Sequence, residues 1–577
     1  MNSHFKDPVP ASAGNEPDLA RAKRILADLI APEKGFIRVA MVYGIAIALL
    51  TLSLPIAVQT LINTVANIAS TRAILILSAV LFLTLLLSGL LTALRTKVME
   101  LCERHVYARL TSRLSLITLL APHSVFEGRR NTTLTHRYFD IMTLQKNIPA
   151  LVVDGFALLL QLVVGFALVS FYHPMLFALN VLIIGLIYVI WLVWGRGAKV
   201  TAIKLSQAKY DSAKWLSSLI TAHEFFQSAR HLDHAGRSTE EKIAQYVDWH
   251  RSHFRYTFSQ VLSFLALYAL ASAVLLGLGG WLVIRGELSI GQLVAAELIM
   301  SAVFFGLTQF TNYLKLYYEL YGAADKLGQI LELPQEEISD KDDLLTPTNG
   351  TLQCRNLELY HLSNRIQLDF TIEAGAKVFA SCDELWMQRA LTKVLKNHIK
   401  PGSGWIRLGG RELSEYDIYG LRHDIVFVDR SLIIDCSIKD YLRLAAPDTS
   451  TAGITDVLEQ VGLSAAIESL PQGIDTLISS MGAPLLPADV LLLKLASAIL
   501  AKPKLVVLNQ DIDNMPRSLR SHLLNTIQQQ DFSVIYFTDK PEAGVFNGLL
   551  HCDSTSSANA SSGLVISPSD RFAKVSA

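Results

Sequence analysis

Cysteine is scarce in this sequence. The five present (Cys102, Cys354, Cys382, Cys436 and Cys552) have neither the paired spacing of a zinc site nor the density of a disulfide framework, so reduced thiols in a reducing compartment are expected. Net charge is lacking too: 51 basic residues balance 51 acidic ones, which excludes bulk attraction to nucleic acid. The opening MNSHFKDPVPASAGNEPDLARAKR has no short apolar core and no cleavage site, so no secretory signal is read there and the N-terminus is expected in the cytosol. What the chain does have is apolar residues, at 51%, with a mean hydropathy of +0.35. Together with a length of 577 residues, that points to at least two domains, one of them in a membrane.

Six apolar runs approach the span of about 20 residues that crosses a bilayer as helix. They are Val39–Ile62, Ala73–Leu94, Ile148–Tyr172, Met175–Trp194, Phe258–Ile284 and Ile290–Leu314. The segments after the second and fourth runs are long and basic, carrying Arg104, Arg109, Arg113, Arg129, Arg130, Lys199, Lys204, Lys209 and Lys214. The other turns hold little more than Arg72 and Arg285. The positive-inside bias therefore places the long segments and both termini in the cytosol. Among ionisable groups near these runs, Asp154 is open to a place on a membrane path, with a place low enough in an overshooting helix to meet cytosolic water the favoured expectation. Glu297 lies deeper, and a place on a membrane path and a merely structural place both stay open for it. Gln59, Gln161, Asn180, Gln309 and Asn312 add polarity.

From about Gly350 short β-runs alternate with amphipathic helices, which is an α/β pattern. AKVFAS reads as a strand and LWMQRALTKVL as a helix with Met387, Ala390, Leu391, Val394 and Leu395 on one face. KLVVLN and SVIYFT read as buried strands. The tail after Cys552, rich in Ser and Ala, and the stretch Met1 to about Asn15 are expected to be unstructured.

Six spans with two long inward excursions resemble the plan of type I ABC exporter half-transporters. APHSVFEGRRNTTLTHRYFDIMTLQ resembles the first coupling region, and HEFFQSARHLDHAGR stands in the place of the second. GQLVAAELIMSAVFFGL and YYELYGAADKLGQILELP are similar to the peptide and protein exporter branch, which includes type I secretion. GSGWIRLGGRELSEYDIYGLRHDIVFV and ESLPQGIDTLISSMG resemble the phrases flanking the motifs of the family's nucleotide-binding domain. The fold class implied is an α-helical membrane domain of six transmembrane helices followed by an α/β P-loop NTPase-like ABC domain. The expected division is a cytosolic segment 1–35, a transmembrane domain 36–330, a linker 331–349, an ABC domain 350–553 and a tail 554–577.

The resemblance also marks where the family's motifs should stand, and they have been rewritten. A Walker A loop, G-x-x-x-x-G-K-[ST], needs glycines so that amides can close round phosphates, a lysine for charge and a hydroxyl for magnesium. The register gives Cys382, Asp383, Glu384, Leu385, Trp386, Met387, Gln388 and Arg389 instead: Gln388 at the lysine, Arg389, expected as a surface arginine, at the hydroxyl, and two carboxylates where they would repel a triphosphate. Asn509 and Gln510 take the Walker B metal ligand and base positions, Arg430 the Q-loop position and Asp539 the H-loop position. Leu486, Pro487, Ala488 and Asp489 fall on the signature that caps the γ-phosphate bound by the opposite subunit; the proline removes a donor and Asp489 adds negative charge. Productive binding of ATP and magnesium is therefore not expected, and the domain is expected to be a pseudo-ATPase.

Three functions stay open on these residues: an exporter-like protein that does not use ATP at its own sites, an ATP-driven exporter, and a non-transporting scaffold of a secretion complex. The resemblance implies a homodimer, or a heterodimer with another half-transporter, in a bacterial inner membrane, with a membrane-fusion-type secretion partner and no nucleic acid.

Overall fold

The computed structural model describes residues 19–51, 53–67, 71–126, 138–336, 345–361, 364–382, 384–429, 432–542, 545–546, 548–552 and 562–563. The chain divides into two compact units, Met1–Glu336 and Glu337–Ala577.

The first unit has helices and the turns that join them, and no strand among its described residues. α1 (Leu19–Ile30) is amphipathic and buries Ala22, Ile25, Leu26 and Leu29. It lies inside the segment expected to be only a cytosolic lead-in. α2 (Lys34–Thr51) and α3 (Ser53–Asn67) together carry the first apolar run. The second run opens α4 (Thr71–Leu119), which is followed by the short α5 (His123–Phe126). α6 (Asp140–Pro149) passes through a π-helical turn, Ala150–Gly155, into α7 (Phe156–Tyr172). α8 (Pro174–Thr221), the short α9 (His223–Phe226), α10 (Ala229–Ile284) and α11 (Ile290–Leu331) complete the unit. Six helical segments among the described residues are long and apolar enough to cross a membrane; five contain the expected run whole, and the first, Met41–Thr64, overlaps the expected Val39–Ile62 from Met41 on. α4 has 49 residues and α10 has 56, so each reaches over 70 Å at about 1.5 Å per residue, well past a hydrocarbon core of about 30 Å.

Both short helices sit in the stretches read as coupling regions, although residues 127–137 of the first stretch lie outside the described residues. Small residues set the helix spacing. A Cβ at Gly197 would stand 2.4 Å from the Tyr256 ring, and one at Gly165 would stand 2.6 Å from Val303. These glycines let α10 and α11 approach their neighbours closely.

In the second unit, two five-stranded sheets share a core. β1 (Leu352–His361), β2 (Asn364–Ile372), β4 (Trp405–Leu408) and β5 (Arg411–Glu412) make an antiparallel sheet in the order β2-β1-β4-β5. β12 (Ser562–Gly563) joins it in parallel at β2, so the tail read as unstructured contains a strand pairing with the sheet edge. The other sheet is parallel, ordered β11-β3-β10-β9-β6, from β3 (Lys377–Cys382), β6 (Ile425–Val428), β9 (Leu505–Leu508), β10 (Ser533–Phe537) and β11 (Gly548–Cys552). The central strands are buried on both faces, which is why they read as continuous apolar runs. Val378, Val507, Ile535 and Phe537 face one core, shared with the antiparallel sheet and with α12 (Leu385–Leu395). Phe379, Val506, Val534 and Tyr536 face the other, with α13 (Pro487–Ala501) and α14 (Arg517–Gln528). The face expected on α12 is the buried one: Met387, Ala390, Leu391, Val394 and Leu395 are each at most 7% exposed. β7 (Cys436–Ser437) and β8 (Leu477–Ile478) form a separate hairpin.

Candidate functional site

Parallel pairing puts the carboxyl ends of β3, β10 and β9 side by side, because Ala380 is paired with Phe537 and Tyr536 with Leu508. In open α/β sheets that edge is where ligands bind. Each strand ends on residues singled out from the sequence: Cys382 at β3, Asp539 after β10, and Asn509 and Gln510 after β9. α12 begins directly above β3 and brings Gln388 to the same edge.

These side chains are bonded to one another. Gln388 is buried in α12, and its Nε2 donates to Asn509 Oδ1. The same oxygen accepts from the Gln510 backbone N–H at 2.8 Å, and Asn509 Nδ2 donates to Asp511 Oδ2 at 2.8 Å. Gln510 Nε2 in turn donates to Asp539 Oδ2. Below them, the Thr538 hydroxyl reaches Asp513 at 2.8 Å, and Asp513 also receives the Tyr536 hydroxyl. The Tyr536 phenol is raised above its ordinary range by burial and then by its bond to Asp513. The space left over is a cavity of about 160 Å³ between Cys382, Leu385, Gln388, Gln510, Phe537 and Asp539.

The remaining phosphate-loop positions divide by exposure. Met387 points into the core, while Leu385 is 61% exposed and Arg389 lies at the surface as expected. Glu384 is the extended N-cap of α12 and makes no cap bond, and Asp383 lies outside the described residues, as does Arg430. Sequence reasoning passed over Asp429, which follows directly on β6. It takes Lys494 of α13, whose Nζ donates to the Asp429 carbonyl at 2.9 Å and lies 3.6 Å from its carboxylate; Lys396 is 3.7 Å away on the other oxygen. Burial pushes the Lys494 ammonium below its ordinary value despite this partner. A lysine in the middle of the run LLLKLA was the available signal, since a buried lysine needs an acceptor.

Leu486–Asp489 start α13. Leu486 is the exposed N-cap and Pro487 the first helical residue. The Asp489 carboxylate accepts from the Leu486 N–H at 3.2 Å, so this helix N-terminus is capped by its own acid. No hydrogen bond among the described residues joins this group to the Gln388 network.

In the membrane unit, Asp154 lies in the π-helical turn and pairs with Arg95 of α4 at 3.3 Å, each side chain about a quarter exposed or less. It therefore has an ionic partner where open water was expected. Glu297 on α11 has Ser301 at 3.4 Å, and its other oxygen is enclosed without a hydrogen-bond partner. Several polar groups of the spans pair within the unit: Tyr172 with Gln59 at 2.8 Å, Asn180 with Ser170 at 2.8 Å, and Asn312 with Gln309 at 3.1 Å.

Residues 37–307 match the family model of the ABC transporter transmembrane region. The membrane unit is an ABC transporter transmembrane region. The chain is 22% identical over 483 residues to the leukotoxin translocation ATP-binding protein LktB of Mannheimia glucosida, covering 82% of this chain and 67% of that protein. It is 22% identical over 449 residues to the alpha-hemolysin translocation ATP-binding protein HlyB of Escherichia coli O157:H7, covering 75% of this chain and 62% of that protein. The chain thus spans about two thirds of the length of these relatives. Its fold is similar to that of a bacterial Atm1-family ABC exporter with ATP bound, with a TM-score of 0.75 at 15% identity, over 93% of this chain and 95% of that one. The expected architecture, an ABC exporter membrane domain followed by an α/β domain, is the one the chain has.

Proposed function

We propose that this chain is an ABC exporter-like half-transporter whose α/β unit neither binds nor hydrolyses ATP productively. It would act as a dimer, with itself or another half-transporter, in a peptide or protein export system of a bacterial inner membrane, both termini cytosolic. The relatives named for toxin translocation support the export class, and the basic excursions after the second and fourth spans support the orientation. A membrane-fusion-type partner is consistent with that branch. The energy source is then a partner ATPase or an ion gradient.

One observation carries the reading: the chain of bonds Gln388–Asn509–Gln510–Asp539 across the strand ends. A magnesium triphosphate needs a cation, amide donors, a carboxylate ligand and a base at that edge. The residues present do not fit it. Neutral amides stand at the cation, ligand and base positions, bulky Leu385 and Trp386 stand where backbone must approach oxygen, and the side-chain amides of Gln388 and Gln510 each donate one hydrogen to an internal acceptor. About 160 Å³ of free space is also small beside the roughly 300–1,000 Å³ of ordinary ligand pockets.

The test is steady-state ATPase of the purified full chain in nanodiscs. The expected rate is that of empty nanodiscs, unchanged in Gln510→Ala. ATP-driven export is the reading that the relatives' names favour, and magnesium-dependent hydrolysis that disappears in Gln510→Ala would establish it instead.

A further inference from the structure

Lys199 of α8 lies among three aromatic rings. Its Nζ is 5.2 Å from the centroid of Trp191 and 5.3 Å from those of Tyr317 and Tyr321 of α11. Ring faces hold an ammonium by their quadrupoles without neutralising its charge. Among the described residues, no carboxylate comes within 4.0 Å of it. A second positive charge, Lys23 of α1, acts on it from the neighbouring helix. Lys23 is exposed and likewise has no acid within that distance, whereas Arg21 and Arg24 on either side of it are both taken by Glu332, at 2.7 Å each.

Hydrogen counting sharpens this. The Tyr317 and Tyr321 hydroxyls are 3.0 Å apart, so one donates to the other and one O–H of the pair remains over. The Lys199 ammonium and a phenol O–H therefore stand together with donors to spare and, among the described residues, no carboxylate, in the field of the second ammonium. Two like charges held together favour an anion with several oxygens, and a phosphate has that form.

The position in the fold narrows the source. Lys199 follows the fourth apolar run within one and a half turns, and Tyr317 follows the sixth within one. Trp191 and Trp194 stand in the last turn of the fourth run, where aromatic residues gather at a bilayer interface. α1 is amphipathic, and at its end the turn into α2 carries an open cleft of about 580 Å³ lined by Pro32, Gly35, Phe36, Val39 and Val42, with Arg38 as its one charged residue. Such a cleft suits an acyl chain beside an anionic head.

We propose that Lys23, Lys199 and the Tyr317/Tyr321 hydroxyl pair bind the phosphate of an anionic phospholipid of the cytosolic leaflet, with an acyl chain in the cleft at the start of α2. The leaflet assignment rests on the orientation proposed above; the phosphate chemistry does not.

The full chain, purified in nanodiscs of phosphatidylcholine with a minor fraction of phosphatidylglycerol, would be released into native mass spectrometry and its retained lipids counted. Wild type is expected to retain phosphatidylglycerol selectively. Each lysine neutralised is expected to weaken that retention by about fivefold, as one interfacial charge does. Lys199→Arg should keep it, and the Lys23→Gln/Lys199→Gln pair should lose it while keeping the wild-type melting temperature. Equal retention by the double variant overturns the site. Displacement of the lipid by millimolar inorganic phosphate overturns the lipid as the source. Labelling of Lys23→Cys by an impermeant maleimide from outside intact cells overturns the leaflet and the orientation, separately from the lysine dependence.

Discussion

Gln388 has one strong partner, Asn509 Oδ1, and is buried where it makes that bond. Replacing it by lysine restores the charge of a phosphate loop but sets a buried ammonium against a neutral amide. Gln388→Lys is expected to cost about 1–3 kcal/mol, the penalty of a poorly satisfied buried polar group, read as a lower melting temperature in nanodiscs with no gain of ATPase. Gln510→Glu tests the next link, since it places a carboxylate against Asp539. Their repulsion raises a carboxyl pKa in the folded state above its unfolded value, so the penalty is present at neutral pH and fades as pH falls through the folded value. With Asp539 exposed, screening limits it to about 1 kcal/mol at pH 7. Melting at pH 7.5 and pH 5 should converge with wild type at the lower pH, and a constant difference would count against the contact. The identities at these positions were legible because a strand and a helix of recognisable spacing fixed the register. That the side chains satisfy one another was not legible, because it depends on which strands lie adjacent in the sheet. Asp429 escaped notice for the same reason: its lysine is 65 residues away in sequence.

Among the elements, helices and strands with one strong period were the easiest to foresee. α12 shows its buried face every three or four residues, and β9 and β10 are unbroken apolar runs. α1 was missed because its apolar residues are split by four charged ones and fall short of a spanning run, and only packing shows that Ile25 and Leu29 bury a stripe. The strand at Ser562–Gly563 was missed because two small residues carry no β signal of their own. Helix spacing gives a paired test in the membrane unit. Gly197→Ala drives a methyl into the Tyr256 ring and should loosen α8 from α10, lowering the melting temperature by several degrees. Gly185→Ala meets nothing within 4 Å and should be neutral or slightly stabilising, through a helix propensity of up to about 1 kcal/mol. In the α/β unit, Lys494 ties α13 to the end of β6. Because burial holds its folded pKa below its ordinary 10.5, the folded state releases its proton first, and the unit gains stability as pH rises toward 10.5. Lys494→Met should abolish that alkaline gain. It should also cost about 3 kcal/mol at neutral pH, where the Asp429 carboxylate loses its closer cation. Denaturation monitored between pH 7 and 10 reads both.

For the whole molecule, the fold is that of an ABC exporter, while the chemistry at one sheet edge, on the reading proposed above, is not kept. The apolar strands and their helix partners form buried cores, and on the proposed reading the residues that depart from the family's motifs stand where a nucleotide would make polar contacts. On that reading a folded module remains for dimerisation or coupling without requiring turnover. A ligand that binds only the folded state stabilises it by mass action, about 2.7 kcal/mol at a hundredfold excess over Kd. The most direct measurement is therefore equilibrium binding of magnesium-ATP to the purified full-length chain. No saturable binding up to millimolar nucleotide, and no nucleotide-dependent rise in melting temperature, is the predicted result. Saturable micromolar binding that is lost on changing Gln388 or Asn509 would contradict it.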